Sequence, residues 1–163
     1  MGSQASAAAV LVALRRIVRF LRLADRAAES AVGLSAAQLF VLDALHDSPA
    51  SSLAELADRT LTDQSSVSTV VAKLVAARLV VRKVAEHDRR RAELWLTAAG
   101  QRVLRRAPRM PQMRIADVVA RMPAAERDQL VESLERLASA IGANEIAPHM
   151  LFEDEPRKSR KRR

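Results

Sequence analysis

Apolar residues near the start of the chain recur every three or four positions, the spacing that places side chains on one face of a helix. Val10, Leu14 and Ile17 belong to this stripe, and arginines lie largely on the other faces. The helix is expected to end near Gly33, because glycine readily adopts the left-handed conformation that closes a helix. Ser35 is a favourable N-cap residue for a second helix.

Two shorter helical patterns with a tight link between them follow. Ser52 and Glu55 have the spacing of a capping box for the first helix, and Asp63 is placed to cap a helix over 64–77. Its valines and leucines face inward, whereas the opposite face is small or polar and contains no acid after the cap. An ordinary surface helix would mix glutamate with lysine. The members of this face are Gln64, Ser65, Ser66, Ser68, Thr69 and Lys73.

The apolar period then changes to two, which predicts strands over 80–84 and 92–96. Thr97 is expected to cap the next helix, and Pro108 and Pro111 are expected to break or kink it. The connection between the strands is longer than a tight hairpin turn and carries three consecutive arginines, Arg89, Arg90 and Arg91.

The last predicted helix spaces its apolar residues four, three and four positions apart, which is typical of a seam that packs against a partner. These residues are Leu130, Leu134, Leu137 and Ile141. Helices at both ends of the chain need a place to bury their apolar faces, which favours a homodimer over an intramolecular core. The segment 148–163 is an acidic run followed by a basic one and predicts a disordered tail, with nonspecific DNA contact as the alternative.

The composition excludes several kinds of chemistry. Without cysteine there is no disulfide, thiolate zinc site or thiol redox sensor, and three widely spaced histidines leave little for a metal site. Hydrophobic residues make up 49% of the chain, yet no apolar run is long enough to span a bilayer. The small, polar start lacks the basic region of a signal peptide, so we expect a cytoplasmic protein without membrane association.

The net charge of +8 is concentrated in two places. Residues 59–106 carry eleven Lys and Arg but four Asp and Glu, and 157–163 carry six basic residues and no acid. A basic module on an otherwise acidic chain suits a polyanion-binding protein, because neutralised phosphates release their counterions. The alternative is that these side chains form a solvated surface.

Helix, helix, tight turn, helix and a two- or three-stranded ribbon follow one another in the order of a winged helix-turn-helix. The predicted fold is therefore mainly α with a small β wing. In this arrangement Gln64 is able to pair with adenine, and serine or threonine hydroxyls pair with several bases. Lys73 and Arg82 are placed to meet phosphates, and the wing arginines suit a narrow minor groove.

Several motifs resemble the MarR family of bacterial and archaeal transcriptional regulators. Leu53-Ala54-Glu55-Leu56-Ala57, Ser65-Ser66-Val67-Ser68-Thr69-Val70-Val71 and, most specifically, Asp88-x-Arg90 followed by Leu96-Thr97-x-x-Gly100 carry the resemblance. It implies a homodimer whose terminal helices form the interface, with Arg90 in the minor groove and Asp88 orienting a neighbouring arginine. It also implies repression that is relieved by a small, often anionic aromatic compound. The implied interface residues are Val10, Leu14, Ile17, Leu130, Leu134, Leu137 and Ile141.

The sequence departs from the family pattern in the turn before the first strand. Arg78 occupies the place that normally holds glycine, so a left-handed backbone there would be strained. The absence of cysteine excludes the peroxide-sensing branch of the family. The urate-responsive branch uses a tryptophan in the first helix, whereas Trp95 is the only tryptophan and lies on a strand.

Four residues are candidates for binding a small-molecule effector. Arg16, Phe20 and Leu23 lie at i, i+4 and i+7 on the first helix, and His46 ends the second helix. A cation against apolar walls suits an aromatic carboxylate, although the alternative is an exposed arginine at the edge of the core.

Together these observations predict a dimeric, sequence-specific DNA-binding regulator that represses from a pseudo-palindromic operator and is released from it by a small molecule. The expected division is a dimerisation helix (1–34), the DNA-binding domain (35–100), C-terminal dimerisation helices (101–147) and the tail (148–163). The alternatives are an architectural DNA-binding protein without an effector and a winged helix that binds protein instead of DNA. No arrangement of catalytic residues, cofactor motif or metal site indicates an enzyme.

Overall fold

The computed structural model describes residues 2–84, 92–146 and 150, except for the side chains of residues 2, 3 and 92. Seven helices and two strands fall within these ranges, which confirms the mainly α fold with a small β wing. The helices are α1 (Gly2–Val32), α2 (Ala36–Asp47), α3 (Leu53–Thr60), α4 (Gln64–Ala76), α5 (Ala98–Arg106), α6 (Pro111–Ala120) and α7 (Ala124–Ala140). The strands are β1 (Val80–Val84) and β2 (Ala92–Leu96), and a short 3-10 helix follows α7 at Ala143–Glu145.

The predicted helix ends are confirmed by local hydrogen bonds. Gly33 follows α1 with a φ of +72°. The Ser35 hydroxyl accepts a hydrogen bond from the Gln38 backbone N–H, and the Gln38 side chain accepts one from Ser35 in return. Asp25 of α1 adds a longer-range contact, since its Oδ1 accepts a hydrogen bond of 2.7 Å from the Ala36 backbone N–H. The turn between α1 and α2 is therefore fixed from both sides.

Helices α2, α3 and α4 enclose the core. Leu39 and Leu42 of α2, Leu56 of α3 and Leu74 of α4 are fully buried in it. Arg59 closes the open end of α2, because its guanidinium donates hydrogen bonds to the backbone carbonyls of Ala44, Ser48 and Pro49. Carbonyl groups at the C-terminal end of a helix accept no hydrogen bond from within the helix. Sequence analysis did not assign Arg59 this role.

The wing is an antiparallel pair of strands in which Val80 lies opposite Leu96. Ala50, before α3, adds a single bridge to this pair by exchanging two backbone hydrogen bonds with Leu94. The described sheet therefore has two strands and one bridging residue. These contacts join the wing to the start of α3, so that the ribbon and the helix-turn-helix form one unit.

The terminal helices contrast with this core. Ile17 of α1 is 49% exposed and Leu134 of α7 is 51% exposed, and no α7 side chain is buried. Helix α1 packs on α2, α5 and α6, whereas the main packing partner of α7 within the described ranges is the adjoining 3-10 helix. The apolar seam that the sequence predicts on these two helices is uncovered in the single chain.

Candidate nucleic-acid interface

The side of α4 that faces away from the core carries small and polar side chains. Gln64, Ser65 and Thr69 are exposed, and Ser68 and Lys73 are half-buried on the same side. Between and beyond them the surface contains only alanine methyl groups, at Ala72 and Ala76. No acid follows the cap within the helix. This face is narrow, free of bulky side chains and rich in hydrogen-bonding groups, as readout of base edges in a major groove requires.

Asp63 fixes the start of this helix. Its carboxylate accepts hydrogen bonds from the Ser66 backbone N–H at 3.0 Å and from the Ser65 hydroxyl. The predicted N-cap is thus confirmed. Leu61, in the turn between α3 and α4, has a φ of +53° and is 86% exposed, so the tight link is formed by a left-handed residue.

Ser66 does not belong to the exposed face, and the prediction that it contacts DNA is wrong for this structure. It is 1% exposed, and its hydroxyl oxygen accepts a hydrogen bond of 3.1 Å from the Met150 backbone N–H. Ser66 lies on the side of α4 that turns towards the core, next to Val67. The sequence pattern did not reveal this, because a small polar residue is compatible with either side of the helix.

Basic side chains also follow the first strand of the wing. Arg82 and Lys83 are both exposed on β1. The Lys83 ammonium lies 4.9 Å from the centre of the Trp95 ring, and the Trp95 indole N–H donates to the Glu93 carboxylate at 2.9 Å. Lys83, which sequence analysis did not single out, is therefore held against the sheet, whereas Arg82 is the exposed cation that we predict for a phosphate.

The other predicted DNA contacts lie outside the described residues. Asp88, Arg89, Arg90 and Arg91 belong to segment 85–91 between the strands, and the basic run 157–163 belongs to the tail. Their proposed roles remain predictions.

Residues that carry the family motif hold the wing against the core. The Thr97 hydroxyl caps α5 by accepting a hydrogen bond from the Gly100 backbone N–H. Gly100 lies so close to β1 that a Cβ placed there would come within 2.4 Å of the Leu79 carbonyl oxygen. The glycine is therefore required by close packing and not by its backbone conformation. Arg78, in the turn before β1, has a φ of +58°, which confirms the strained left-handed turn.

Comparisons with known proteins agree with this architecture. A model of the MarR family matches residues 32–91. An HTH-type transcriptional repressor of Mycobacterium tuberculosis is 32% identical over 126 residues, which cover 77% of this chain and 91% of the relative. The chain belongs to the MarR family. The prediction of a DNA-binding transcriptional regulator is thereby confirmed at the level of the family.

Solved structures of MarR-type regulators share the fold. BldR from Sulfolobus solfataricus superimposes with a TM-score of 0.54 at 24% identity, covering 86% of this chain and 99% of BldR. BpsR from Bordetella bronchiseptica gives a TM-score of 0.55 at 24% identity, covering 85% of this chain and 96% of BpsR. Identities at this level establish the common fold alone.

The four residues predicted for a MarR effector do not form one site. Arg16 and His46 are exposed, Leu23 lines a hollow of about 430 Å³ among the arginines of α1, and Phe20 lines a different hollow beside α6. A cation does meet an apolar wall at Phe20, but Arg114 supplies it, with its guanidinium carbon 5.1 Å from the ring centre. Arg114 lies too far along the sequence for helical spacing to connect it with Phe20.

A larger cavity of about 520 Å³ lies between α6 and the α3–α4 turn of this MarR module, and it shares Ile115 and Val119 of its wall with the hollow at Phe20. We call it the α6 cavity. Phe40 of α2, Thr60 and Thr62 of the turn, and Gln112 and Met113 of α6 are among the residues that line it. Met150 forms a further part of its wall and is 5% exposed. Sequence analysis missed this cavity because its walls come from segments that are far apart in the chain.

Within the described residues, no helix is long and apolar enough to cross a membrane. No group of three or more His, Cys, Asp or Glu side chains in the same residues is arranged to hold a metal ion.

Proposed function

We propose that the protein is a cytoplasmic, dimeric and non-enzymatic repressor that binds a pseudo-palindromic operator in double-stranded DNA and is released by a small molecule. The acid-free exposed face of α4 carries this proposal. Gln64, Ser65, Ser68 and Thr69 offer donors and acceptors on a face that is slender enough to enter a major groove. Lys73 and Arg82 flank that face with positive charge suited to phosphate oxygens.

The uncovered seam on α1 and α7 supports the dimer. Leu14 and Leu137 are each 36% exposed, and Ile141 is 71% exposed. Apolar side chains repeated along exposed faces of two helices are a surface that a second copy would cover by two-fold symmetry. A dimer of this kind places two α4 helices on successive major grooves, which requires an operator with two half-sites.

The α6 cavity supports an effector. It lies between the helix-turn-helix and the helix that leads to the dimer seam, so a molecule that fills it contacts both regions. Its volume of about 520 Å³ is in the range of small-molecule sites. A ligand that binds better when α4 is turned away from the operator spacing would lower the affinity for DNA.

An architectural DNA-binding protein is the alternative, and the basic tail favours it. Such a protein would bind through phosphates alone, with little preference between sequences and a steep dependence on salt. The polar face of α4 favours sequence-specific binding, because a phosphate-only contact has no need of its glutamine and hydroxyl groups.

Selection of bound DNA from a random pool separates these functions. We expect an inverted repeat whose half-site centres are about 10 bp apart. Protection of every sequence to the same extent would overturn the repressor proposal and favour the architectural alternative. A short site without symmetry would overturn the dimeric arrangement.

Variants of α4 and β1 then assign the contacts on the selected operator. Gln64→Ala should change the base preference at one position per half-site and cost about 1–3 kcal/mol on the preferred sequence. Arg82→Ala should weaken binding to all sequences and reduce the salt slope by about one. Arg136→Ala is the control, since this exposed arginine lies on α7 with Glu132 as its neighbour.

A further inference from the structure

We propose that the α6 cavity selects an uncharged apolar molecule carrying a hydroxyl group, and that Gln112 is the residue that selects it. The proposal deepens the proposed function at one point, the chemistry of the effector. It rests on the apolar lining of the cavity, on an unpartnered amide oxygen in its wall, and on the charges of the described residues around it.

The lining of the cavity is mostly apolar, with few polar groups. Phe40 and Met150 contribute apolar wall from the side of the helix-turn-helix, and Met113 and Val119 contribute it from α6. Burial of apolar ligand surface against these side chains supplies affinity roughly in proportion to the area that is removed from water. The volume of about 520 Å³ leaves room for a molecule of two fused rings.

The Gln112 amide is the unsatisfied polar group of the cavity wall. Its Oε1 is buried and has no hydrogen-bond partner. A buried polar atom without a partner costs free energy that a ligand recovers by supplying the missing hydrogen bond. A hydroxyl group both donates and accepts, so it pairs with either end of the amide, whichever way the amide is oriented.

The charges around the cavity disfavour an anion. Asp117 is the one charged side chain among the described residues that line it, and the Arg109 guanidinium is paired with that carboxylate. A ligand carboxylate would therefore be desolvated beside another carboxylate, and the described lining residues supply no cation to offset it. A ligand cation would have to compete with Arg109 for Asp117. Arg114 does not line this cavity; it offers its cation to the apolar wall of the neighbouring hollow at Phe20, which shares Ile115 and Val119 with the cavity.

The cavity also reaches the DNA-binding helix. Met150 lines it, and the Met150 backbone N–H donates to the buried hydroxyl of Ser66 on α4. A molecule in the cavity touches a residue that is hydrogen-bonded to the inner side of the DNA-binding helix. A ligand that displaces Met150 would therefore also shift α4 through this hydrogen bond.

Three naphthalenes substituted at the same ring position test the selection: naphthylmethanol, methylnaphthalene and naphthoate. Each is titrated into the full chain at neutral pH without DNA, with the ring fluorescence as the signal. We expect naphthylmethanol to bind about tenfold more tightly than methylnaphthalene, and naphthoate to bind more weakly than both. Tightest binding of naphthoate would overturn the proposal.

Substitution of Gln112 makes the test specific. Gln112→Leu should abolish the advantage of naphthylmethanol over methylnaphthalene and leave the binding of methylnaphthalene in place. If the Gln112→Leu variant does not fold, the same test uses Gln112→Met, which keeps an unbranched side chain. Gln101→Leu is the matched control, because Gln101 is an exposed residue of α5 that does not line the cavity. An unchanged advantage in both Gln112 variants would overturn the role of Gln112.

A separate titration of the selected operator distinguishes this inference from the proposed function. Binding of naphthylmethanol that depends on Gln112 but leaves operator affinity unchanged would support the site and overturn its effector role. Specific operator binding by a chain that takes up none of the three compounds would overturn the site and leave the DNA-binding function standing.

Discussion

The helix-turn-helix core and the terminal helices differ in the burial of their apolar residues. In the core, Leu42 and Leu74 are fully buried by neighbours from the same chain. In the terminal helices, Ile17 and Leu134 are about half exposed, although both lie in apolar stripes of similar composition. Since burial of apolar surface drives both folding and association, the first region is complete within one chain and the second is not.

This difference separates two kinds of information in a helical sequence. An apolar stripe predicts that one face of a helix will be buried. It does not predict which element, or which chain, buries that face. For α2 the cover is α3 and α4, and for α7 the described chain provides only the adjoining 3-10 helix.

The same substitution in the two regions should give very different losses of stability. Leu42→Ala removes a fully buried side chain from the core and should lower the free energy of unfolding by about 2–5 kcal/mol. Leu23→Ala, at a residue of α1 that is 53% exposed, should cost less than about 0.5 kcal/mol. Urea denaturation monitored by circular dichroism measures both. Equal losses would show that the two regions are not distinct.

A charge placed in the terminal seam should affect association and spare the core. Leu134→Asp is expected to raise the dimer dissociation constant about a hundredfold, because each dimer would bury two unpaired carboxylates. Sedimentation velocity over a dilution series measures this constant, with Glu132→Gln on the same helix as the control. A dimer that tolerates Leu134→Asp would place the interface elsewhere.

The contact between wing and core should be sensitive to one methyl group. Gly100→Ala should cost about 2 kcal/mol, because its Cβ would meet the Leu79 carbonyl oxygen at 2.4 Å. Gly33→Ala should cost about 1 kcal/mol through its positive φ alone, since no atom lies within 4 Å of the new Cβ. Thermal denaturation compares the two variants, and only Gly100→Ala is expected to weaken operator binding. The reverse order of stability would contradict the close-packing explanation.

Relief of the turn before β1 should stabilise the core by a smaller amount. Arg78→Gly removes a left-handed non-glycine residue and should add up to about 1 kcal/mol, partly offset by the greater freedom of glycine in the unfolded chain. Ala77→Gly is the matched control at a φ of −78°, where glycine should destabilise. Chemical denaturation of both variants checks the sign. A loss of stability in Arg78→Gly would show that the arginine side chain makes a net favourable contribution.

The stability of the fold should depend weakly on pH through the Asp43 carboxyl. Burial raises the pKa of the Asp43 carboxyl on α2, and the neighbouring Asp47 carboxylate raises it further, while His46 acts in the opposite direction. The folded state therefore disfavours the ionised form, and this cost is fully present at neutral pH and disappears as pH falls below the unfolded pKa of 3.8. Asp43→Asn should raise the Tm slightly at pH 7 and leave it unchanged in acid. A rise of the same size at both pH values would exclude the ionisation of Asp43 as the cause.

Local chemistry made much of the fold predictable. Ser35, Asp63 and Thr97 cap the helices that the sequence assigns to them, because a cap involves only residues two or three positions away. The helix break before Pro111 and the positive φ of Arg78 are equally local. Resemblance to the MarR family added what the local patterns do not contain: the role of the wing arginine and repression that a small molecule relieves.

Residues whose roles depend on distant neighbours were not predictable. Arg59 closes the end of α2 from another helix, and Arg114 stacks on Phe20 from almost a hundred positions away. Ser66 was assigned to the wrong side of its helix, because its partner Met150 lies 84 positions further along the chain.

The sequence by itself determined which segments become helices and strands, where they start and end, and that the basic charge is concentrated on the DNA-binding module. Only the tertiary structure decided that Ser66 is buried, that Gln112 faces a cavity without a hydrogen-bond partner, and that the seam of α1 and α7 is uncovered. The physical reason is the distance along the chain over which each interaction acts. Backbone conformation and capping are governed by neighbours within about one helical turn, whereas burial and cavities depend on which remote segments pack together.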